Sequence, residues 1–420
     1  MAEKHIIALI GKYKCDKMQT KREVLLLIKV NPYRPGAGLK PMYIAGRDDD
    51  IKEVRQIFEA MTIGVPVRSM IYSGLRGVGK TVLINRLEEI ADDYEIFHNH
   101  IEIEEKNDFI SQIAECAQDF LREVSTKEKF KNLIKKPLEA IKSLVISFNP
   151  SNTTFSVSLQ DRELYLSNNL TQSLTKVFVT IGETAQKVQT PVCFFIDEIQ
   201  YMKQEQLGSL IAALHRTNQL GYPVMVIGAG LPRIYKMLSD EKSYSERLFA
   251  YKQIGSLTLE QSRKAIEEPA KKFNIDYSDE AIEKIVEITK GYPYFIQQLC
   301  QIVYQNTDKD LIEDSDIEYN TNSFFNTLDS GFFKARYERC SESDKKFVFA
   351  MVECGELPCT ISNVAHNLNK DVGSISTIRA QLINKGIIYP VRYKELDFTV
   401  PEFAGFIQRL DEYKQWKIQR

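Results

Sequence analysis

Eight consecutive residues, Gly74-Leu75-Arg76-Gly77-Val78-Gly79-Lys80-Thr81, constrain this chain more than any other stretch. They follow an apolar run, Met70-Ile71-Tyr72, and open a helical pattern, Val82-Leu83-Ile84-Asn85-Arg86-Leu87. The spacing is G-x-x-x-x-G-K-[ST], which binds the phosphates of a nucleotide. Glycines let the backbone curl so that successive N–H groups point at phosphate oxygens. The helix that begins there adds the positive end of its dipole. Lys80 can then reach the β- and γ-phosphates, and the Thr81 hydroxyl can ligate Mg²⁺.

A buried strand further on supplies the complementary chemistry. Pro191-Val192-Cys193-Phe194-Phe195-Ile196 is an apolar run that ends in Asp197-Glu198. Such a run fits a strand covered on both faces of a parallel sheet, and ligands bind at the carboxyl ends of those strands. Two adjacent carboxylates there cost desolvation unless a cation or a catalytic role offsets it. Asp197 suits the Mg²⁺ shell beside Thr81, and Glu198 suits orienting the water that attacks the γ-phosphate.

The remaining chain alternates strands and helices. An amphipathic helix with Ile51, Val54, Ile57 and Phe58 on one face follows Gly46-Arg47, capped by Asp48 or Asp49. Strands are expected at about 69–72, 95–103, 191–198, 224–230 and 251–254, which implies a doubly wound parallel sheet. His98 and His100 share a strand face, as a metal pair or as a polar sheet edge. Residues 107–190 exceed a minimal crossover and read as an insertion. It holds helices at about 108–124, 137–145 and 163–188, and a β-hairpin over Ser147–Ser158. Its lysines 127, 129, 131, 135 and 136 form either a DNA or partner contact or a solvated face. Residues 1–30 form a basic arm, with the same two readings.

With 420 residues the chain has room for two or three domains. Its 43% hydrophobic and 27% charged residues are those of a soluble globular protein. The net charge of −2 means that any nucleic-acid contact must come from a local patch. Seven scattered cysteines without a C-x-x-C read as reduced thiols. The short patch His5–Ile10 is too brief for a signal segment, and no run approaches a membrane span. A cytoplasmic protein with no membrane partner is expected.

These motifs resemble the additional-strand P-loop ATPases, specifically the AAA+ and STAND-like group that includes archaeal origin-recognition proteins and archaeal-type ATPases. Gly74–Thr81 and Phe194–Glu198 match its Walker A and Walker B motifs. Ala45-Gly46-Arg47-Asp48 resembles the segment that lines the adenine pocket. Ser245-Glu246-Arg247-Leu248-Phe249 resembles the segment whose arginine reaches a neighbour's γ-phosphate. Arg247 is thus an arginine-finger candidate or a structural ion-pair residue. Gly291-Tyr292-Pro293-Tyr294 resembles the STAND Gly-x-Pro segment near the nucleotide. Two departures stand out. Gly228-Ala229-Gly230 lacks the polar sensor residue, and the Gly291 segment lacks the second-sensor arginine. Both point to slow turnover.

The resemblance implies an α/β P-loop domain at 41–255 with the insertion at about 107–190, preceded by the arm and lead-in at 1–40. A small helical lid follows at 256–335, and a winged helix-turn-helix at 336–420. The last would present Ser374, Ser376, Thr377, Arg379 and Gln381 on its third helix and Tyr393-Lys394-Glu395 at the wing tip. The expected function is an ATP-binding, Mg²⁺-dependent ATPase. It would act as a nucleotide-controlled switch on duplex DNA through residues 360–400, and self-associate through the ATP site. The alternative is a signalling or defence scaffold whose winged helix docks a protein partner. The catalytic set is Lys80, Glu198 and Arg247. The nucleotide set is Gly74 through Thr81 with Gly46, Arg47 and Pro293, and the metal set is Thr81 and Asp197.

Overall fold

The structure, a computed structural model, describes residues 30–104, 108–126, 128–148, 169–241 and 245–419. Five strands form a wholly parallel sheet in the order β2-β3-β4-β1-β5. They are β1 Ser69–Ser73, β2 Phe97–Glu102, β3 Val192–Asp197, β4 Val224–Gly230 and β5 Phe249–Gln253. β4 is inserted between β1 and β3, the arrangement of the additional-strand P-loop fold, and the carboxyl ends of all three lie along one edge.

Every residue of β1, β3 and β4 is buried. Because successive side chains leave a strand on opposite faces, each unbroken apolar run feeds two cores. Met70, Tyr72, Cys193, Phe195, Met225 and Ile227 pack with helices Asp48–Thr62 and Lys80–Asp93. Ile71, Phe194, Ile196, Val224 and Val226 pack with helices Phe109–Ser125, Lys135–Phe148, Leu170–Val188 and Gln204–Gln219. The described part of 107–190 thus supplies much of the helical layer on that second face. Burying one such side chain contributes roughly 1.5–3 kcal/mol, so it is the two cores that hold the helices in place.

Several local expectations change. Helix Asp48–Thr62 is preceded by Arg47 without a side-chain cap, and Asp48, Asp49 and Asp50 occupy its first turn. There the carboxylates favour the dipole without capping it, and the Arg47 side chain is engaged elsewhere. Ser147 and Phe148 finish helix Lys135–Phe148 and do not start a hairpin. The rest of that expected hairpin, the basic arm up to residue 29 and Lys127 lie outside the described residues. His98 and His100, on the edge strand β2, bond Asp92 at 3.0 Å and Glu88 at 2.6 Å. Among the described residues no group of three His, Cys, Asp or Glu is placed to hold a metal. They form a polar sheet edge.

The region expected to form the lid comprises helices Leu259–Lys271, Asp279–Thr289, Pro293–Asn306 and Asp314–Thr327, joined by the short parallel pair β6 Asp276–Tyr277 and β7 Leu311–Ile312. A capping box of Thr258 with Gln261 starts the first helix, Ser278 caps the second, and Pro293 opens the third. A π-helical turn, Leu328–Phe333, leads through Lys334–Tyr337 into the C-terminal domain. Helices Glu342–Val352, Ile361–Asn367 and Ser376–Asn384 are joined there by an antiparallel sheet ordered β8-β10-β9. Its strands are β8 Cys359–Thr360, β9 Ile388–Arg392 and β10 Glu395–Phe398, the last two pairing antiparallel. The third helix begins at Ser376, after a 3-10 turn at Gly373–Ile375. Among the described residues no helix is long and apolar enough to cross a membrane.

Candidate nucleotide site

The glycine-rich loop leaves β1 at Ser73 and ends at Lys80, where helix Lys80–Asp93 begins. Gly74 donates its N–H to the Gly230 carbonyl at 3.1 Å, and a Cβ there would sit 2.3 Å from the Ile254 carbonyl oxygen. Gly77 and Gly79 have φ of +83° and +91°, a region glycine enters without strain. The resulting curl aims backbone N–H groups and a helix N-terminus at one space. Lys80 folds back over it, its Nζ donating to the carbonyls of Gly74 at 3.0 Å and Leu75 at 2.8 Å. Burial pulls its pKa down, and the nearby carboxylates of Glu198 and Asp197 oppose that shift.

The second motif arrives from β3. Asp197 Oδ2 accepts the Thr81 hydroxyl at 2.6 Å, and Asp197 Oδ1 accepts the Glu198 N–H at 2.8 Å. Glu198 has a left-handed backbone, φ +54°, which turns its carboxylate into the cleft. That carboxylate accepts a hydrogen bond from Gln200 Nε2, and Gln200 Oε1 in turn accepts the Leu231 N–H at 2.9 Å. Gln200 is buried. The glycines that end β4 make room for it: a Cβ on Gly230 would lie 2.5 Å from Gln200 Oε1, and one on Gly228 would lie 2.2 Å from Ile199 Cδ1. The space where a polar sensor residue was missed is thus filled by the residues that follow Glu198.

A cleft of about 600 Å³ runs from this cluster to the lid. Its apolar end is walled by the lead-in, including Pro35, Leu39 and Tyr43, and by Leu257 and Ala265. The lead-in is pinned to the lid by Tyr33, whose hydroxyl donates to the Ile266 carbonyl at 2.7 Å, and by Asn31, which donates to the Gln301 carbonyl at 2.9 Å. Arg47 lines the cleft, yet its guanidinium is committed to the carbonyls of Gly46, Val78 and Gly255 at 2.8, 2.9 and 3.2 Å. It braces the phosphate loop against the chain leaving β5. Gly46 has φ +66°, and a Cβ on it would meet Gln261 at 2.7 Å. Pro293 lines the cleft at the first turn of its helix.

Arg247 is placed apart from these residues. It is exposed on the short helix Ser245–Leu248 and lines a separate hollow with His215, Asn218 and Gln219. Two further cations line the cleft. Arg76 belongs to the nucleotide set by its place in the loop, whereas Arg336, which no motif marked, lies far along the chain at the junction of lid and C-terminal domain.

The donors present suit a hard cation: a threonine hydroxyl and a carboxylate already in contact. Thr81 and Asp197 would hold Mg²⁺ together with nucleotide oxygens and water.

Residues 43–227 match the AAA ATPase domain family, and residues 330–407 match a domain of unknown function (DUF8462). Among curated proteins, none matches the chain by sequence. A Walker-type ATPase of Pyrococcus abyssi is similar in structure, with a TM-score of 0.53 and 15% identity over 89% of this chain and 98% of that one. The Orc1 protein of Aeropyrum pernix, solved in complex with DNA, aligns over 90% of this chain and 95% of its own at 13% identity and a TM-score of 0.43. The RuvB Holliday junction branch migration motor of Thermotoga maritima aligns over 91% and 99% at 15% identity and a TM-score of 0.43. The family match, the strand order and the paired Walker motifs agree, and residues 43–227 form an AAA ATPase domain of the P-loop fold.

Proposed function

We propose that this protein is a slow, Mg²⁺-dependent ATPase that acts as a nucleotide-controlled switch on DNA. The observation that carries the first half is the direct bond between Thr81 and Asp197, with Lys80 and Glu198 beside it on one cleft wall. Loop amides and Lys80 hold the phosphates, and Glu198 orients a water and accepts its proton. Mg²⁺ bound at Thr81 and Asp197 supplies charge neutralisation on the phosphate oxygens. Arg247, exposed and away from its own cleft, is available to a neighbouring subunit, which supports self-association through the ATP site.

The DNA half rests on the C-terminal domain. Ser374, Ser376, Thr377 and Gln381 are exposed on and just before its third helix, and Lys394 is exposed at the wing tip. That presentation fits a major groove with a wing on the backbone. A second reading, protein docking, is favoured by one specific feature: Val372, Val391 and Tyr393 on the same domain are exposed, Tyr393 at 88%. A salt titration of duplex DNA binding separates the two. A steep fall of affinity with salt supports the switch on DNA, and absence of binding at low salt supports the scaffold.

A further inference from the structure

The cleft holds one cluster that the hydrolytic residues do not account for. Arg336 lines it from the segment Lys334–Tyr337, which joins the lid to the C-terminal domain. Its guanidinium lies 3.8 Å over the Phe332 ring, and Phe332 stacks at 4.8 Å on Tyr294, next to Pro293. Nη1 donates to the Phe332 carbonyl at 2.5 Å. Among the described residues no carboxylate pairs with it, and its electrostatic neighbours are the cations Arg76 and Arg339 and the phenols of Tyr292 and Tyr294. Desolvation, then the repulsion of Arg76, holds its pKa down at about 10.

Arg76 is the other half of the cluster. It bonds the Tyr201 hydroxyl at 2.5 Å, three residues past Glu198, so it stands on the side of the cleft where Glu198 must meet the terminal phosphate. A Cβ on Gly386 of the C-terminal domain would lie 3.2 Å from Arg76 Nη2. Arg233 extends the same seam, donating to Asn384 Oδ1 at 2.8 Å and to the Gln200 carbonyl at 2.7 Å. Tyr292, whose hydroxyl is buried without a partner, presses its ring against Gly77 of the loop, within electrostatic reach of Arg76 and Arg336. Two guanidiniums from two domains and an unbonded phenol therefore converge beside the phosphate loop with no anion among them. Holding like charges in a partly dry space is unfavourable until an anion joins them.

We propose that Arg336, with Arg76, takes the terminal phosphate of a bound nucleoside triphosphate and thereby locks the C-terminal domain onto the ATPase domain. A diphosphate leaves the pair without its anion and the seam loose. This deepens the ATPase reading and rests on it.

The test uses the full chain with ATPγS and ADP, read by calorimetric titration, thermal melting and hydrogen exchange. The wild type binds ATPγS more tightly than ADP, and ATPγS slows exchange at residues 384–389. In Arg336→Ala the affinity for ADP is kept, the advantage of ATPγS falls roughly ten- to a hundredfold as for a lost charge-assisted bond, and the exchange at the seam no longer responds. Arg336→Lys restores part of the advantage, because the charge returns without the fork. Without nucleotide, Arg336→Ala melts only slightly lower than the wild type, since a ring contact and a local backbone bond have gone but no ion pair. An unchanged ATPγS-to-ADP ratio in Arg336→Ala overturns the proposal, and so does an exchange response at the seam that survives the substitution. Failure of the wild type to bind either nucleotide would instead sink the ATPase reading.

Discussion

Two charged clusters face each other across one cleft, and they differ in how complete they are. Lys80, Thr81, Asp197 and Glu198 come from a single sheet edge, and each already has a protein partner: two carbonyls, a carboxylate, an N–H and the amide of Gln200. Arg76 and Arg336 come from different domains and repel each other, and among the described residues no carboxylate pairs with either. The first cluster is preorganised before any ligand arrives, which suits groups that must be in place for chemistry. The second gains from an anion, which suits a part that must respond to one.

The largest effect that could break this comparison is at Lys80. Lys80→Ala removes the one cation of the preorganised cluster and should abolish nucleotide binding in a titration with ATPγS. Retained binding at near wild-type affinity would show that the loop amides suffice and that the cluster has been misjudged. Next is Glu198→Gln, which keeps the Gln200 contact but cannot accept a proton. It should bind ATP as the wild type does and lose turnover by roughly 10²–10⁴-fold. Hydrolysis at the wild-type rate would remove Glu198 from the mechanism.

A buried charge that does have a partner sharpens the contrast with Arg336. The Asp344 carboxylate, fully buried, accepts Lys385 Nζ at 2.6 Å and the Ser341 N–H at 2.9 Å. Desolvation raises its pKa, and these bonds outweigh that and leave it below the ordinary carboxylate value. A depressed pKa gives stability that is full above the unfolded value near 4 and is lost as pH falls through the folded one. Lys385→Ala should therefore destabilise the protein at pH 7 by about 2 kcal/mol and flatten the acid limb of its stability curve. The expected fall in melting temperature exceeds that of Arg336→Ala, which loses a ring contact but no ion pair. Equal behaviour of the two variants would erase the distinction between paired and waiting charges.

Much of the first cluster was legible in the sequence, and of the second only Arg76, by its place in the loop. Gly74–Thr81 and the run ending in Asp197-Glu198 carry their chemistry within short contiguous segments, so periodicity and spacing suffice to place them. The apolar runs of β3 and β4 also announce strands buried on both faces, hence the parallel sheet. Arg336 lies 256 positions after Lys80 in the chain, and only tertiary packing brings both to one cleft. Local signals mislead where tertiary demands override them. Asp48 has a cap's chemistry, but helix Asp48–Thr62 starts with Arg47 drawn in toward three carbonyls. Gly228 and Gly230 look like a missing sensor, and the structure shows them yielding space to Ile199 and Gln200.

That last substitution of roles gives the smallest and most specific prediction. Gln200 bridges the Glu198 carboxylate to the backbone after β4, so it fixes the base without touching the phosphates itself. Gln200→Ala should lower kcat roughly tenfold, about 1.4 kcal/mol, while the affinity for ATPγS stays near wild type. Gln200→Glu makes a stricter test, because it keeps the size and sets a second carboxylate against Glu198. Like charges raise the pKa of one member of such a pair. The acid limb of its kcat profile should therefore move to higher pH, which a purely packing role for Gln200 would leave where it was. If both variants keep the wild-type kcat and pH profile, Glu198 is held by its own left-handed turn, and the first cluster is complete without Gln200.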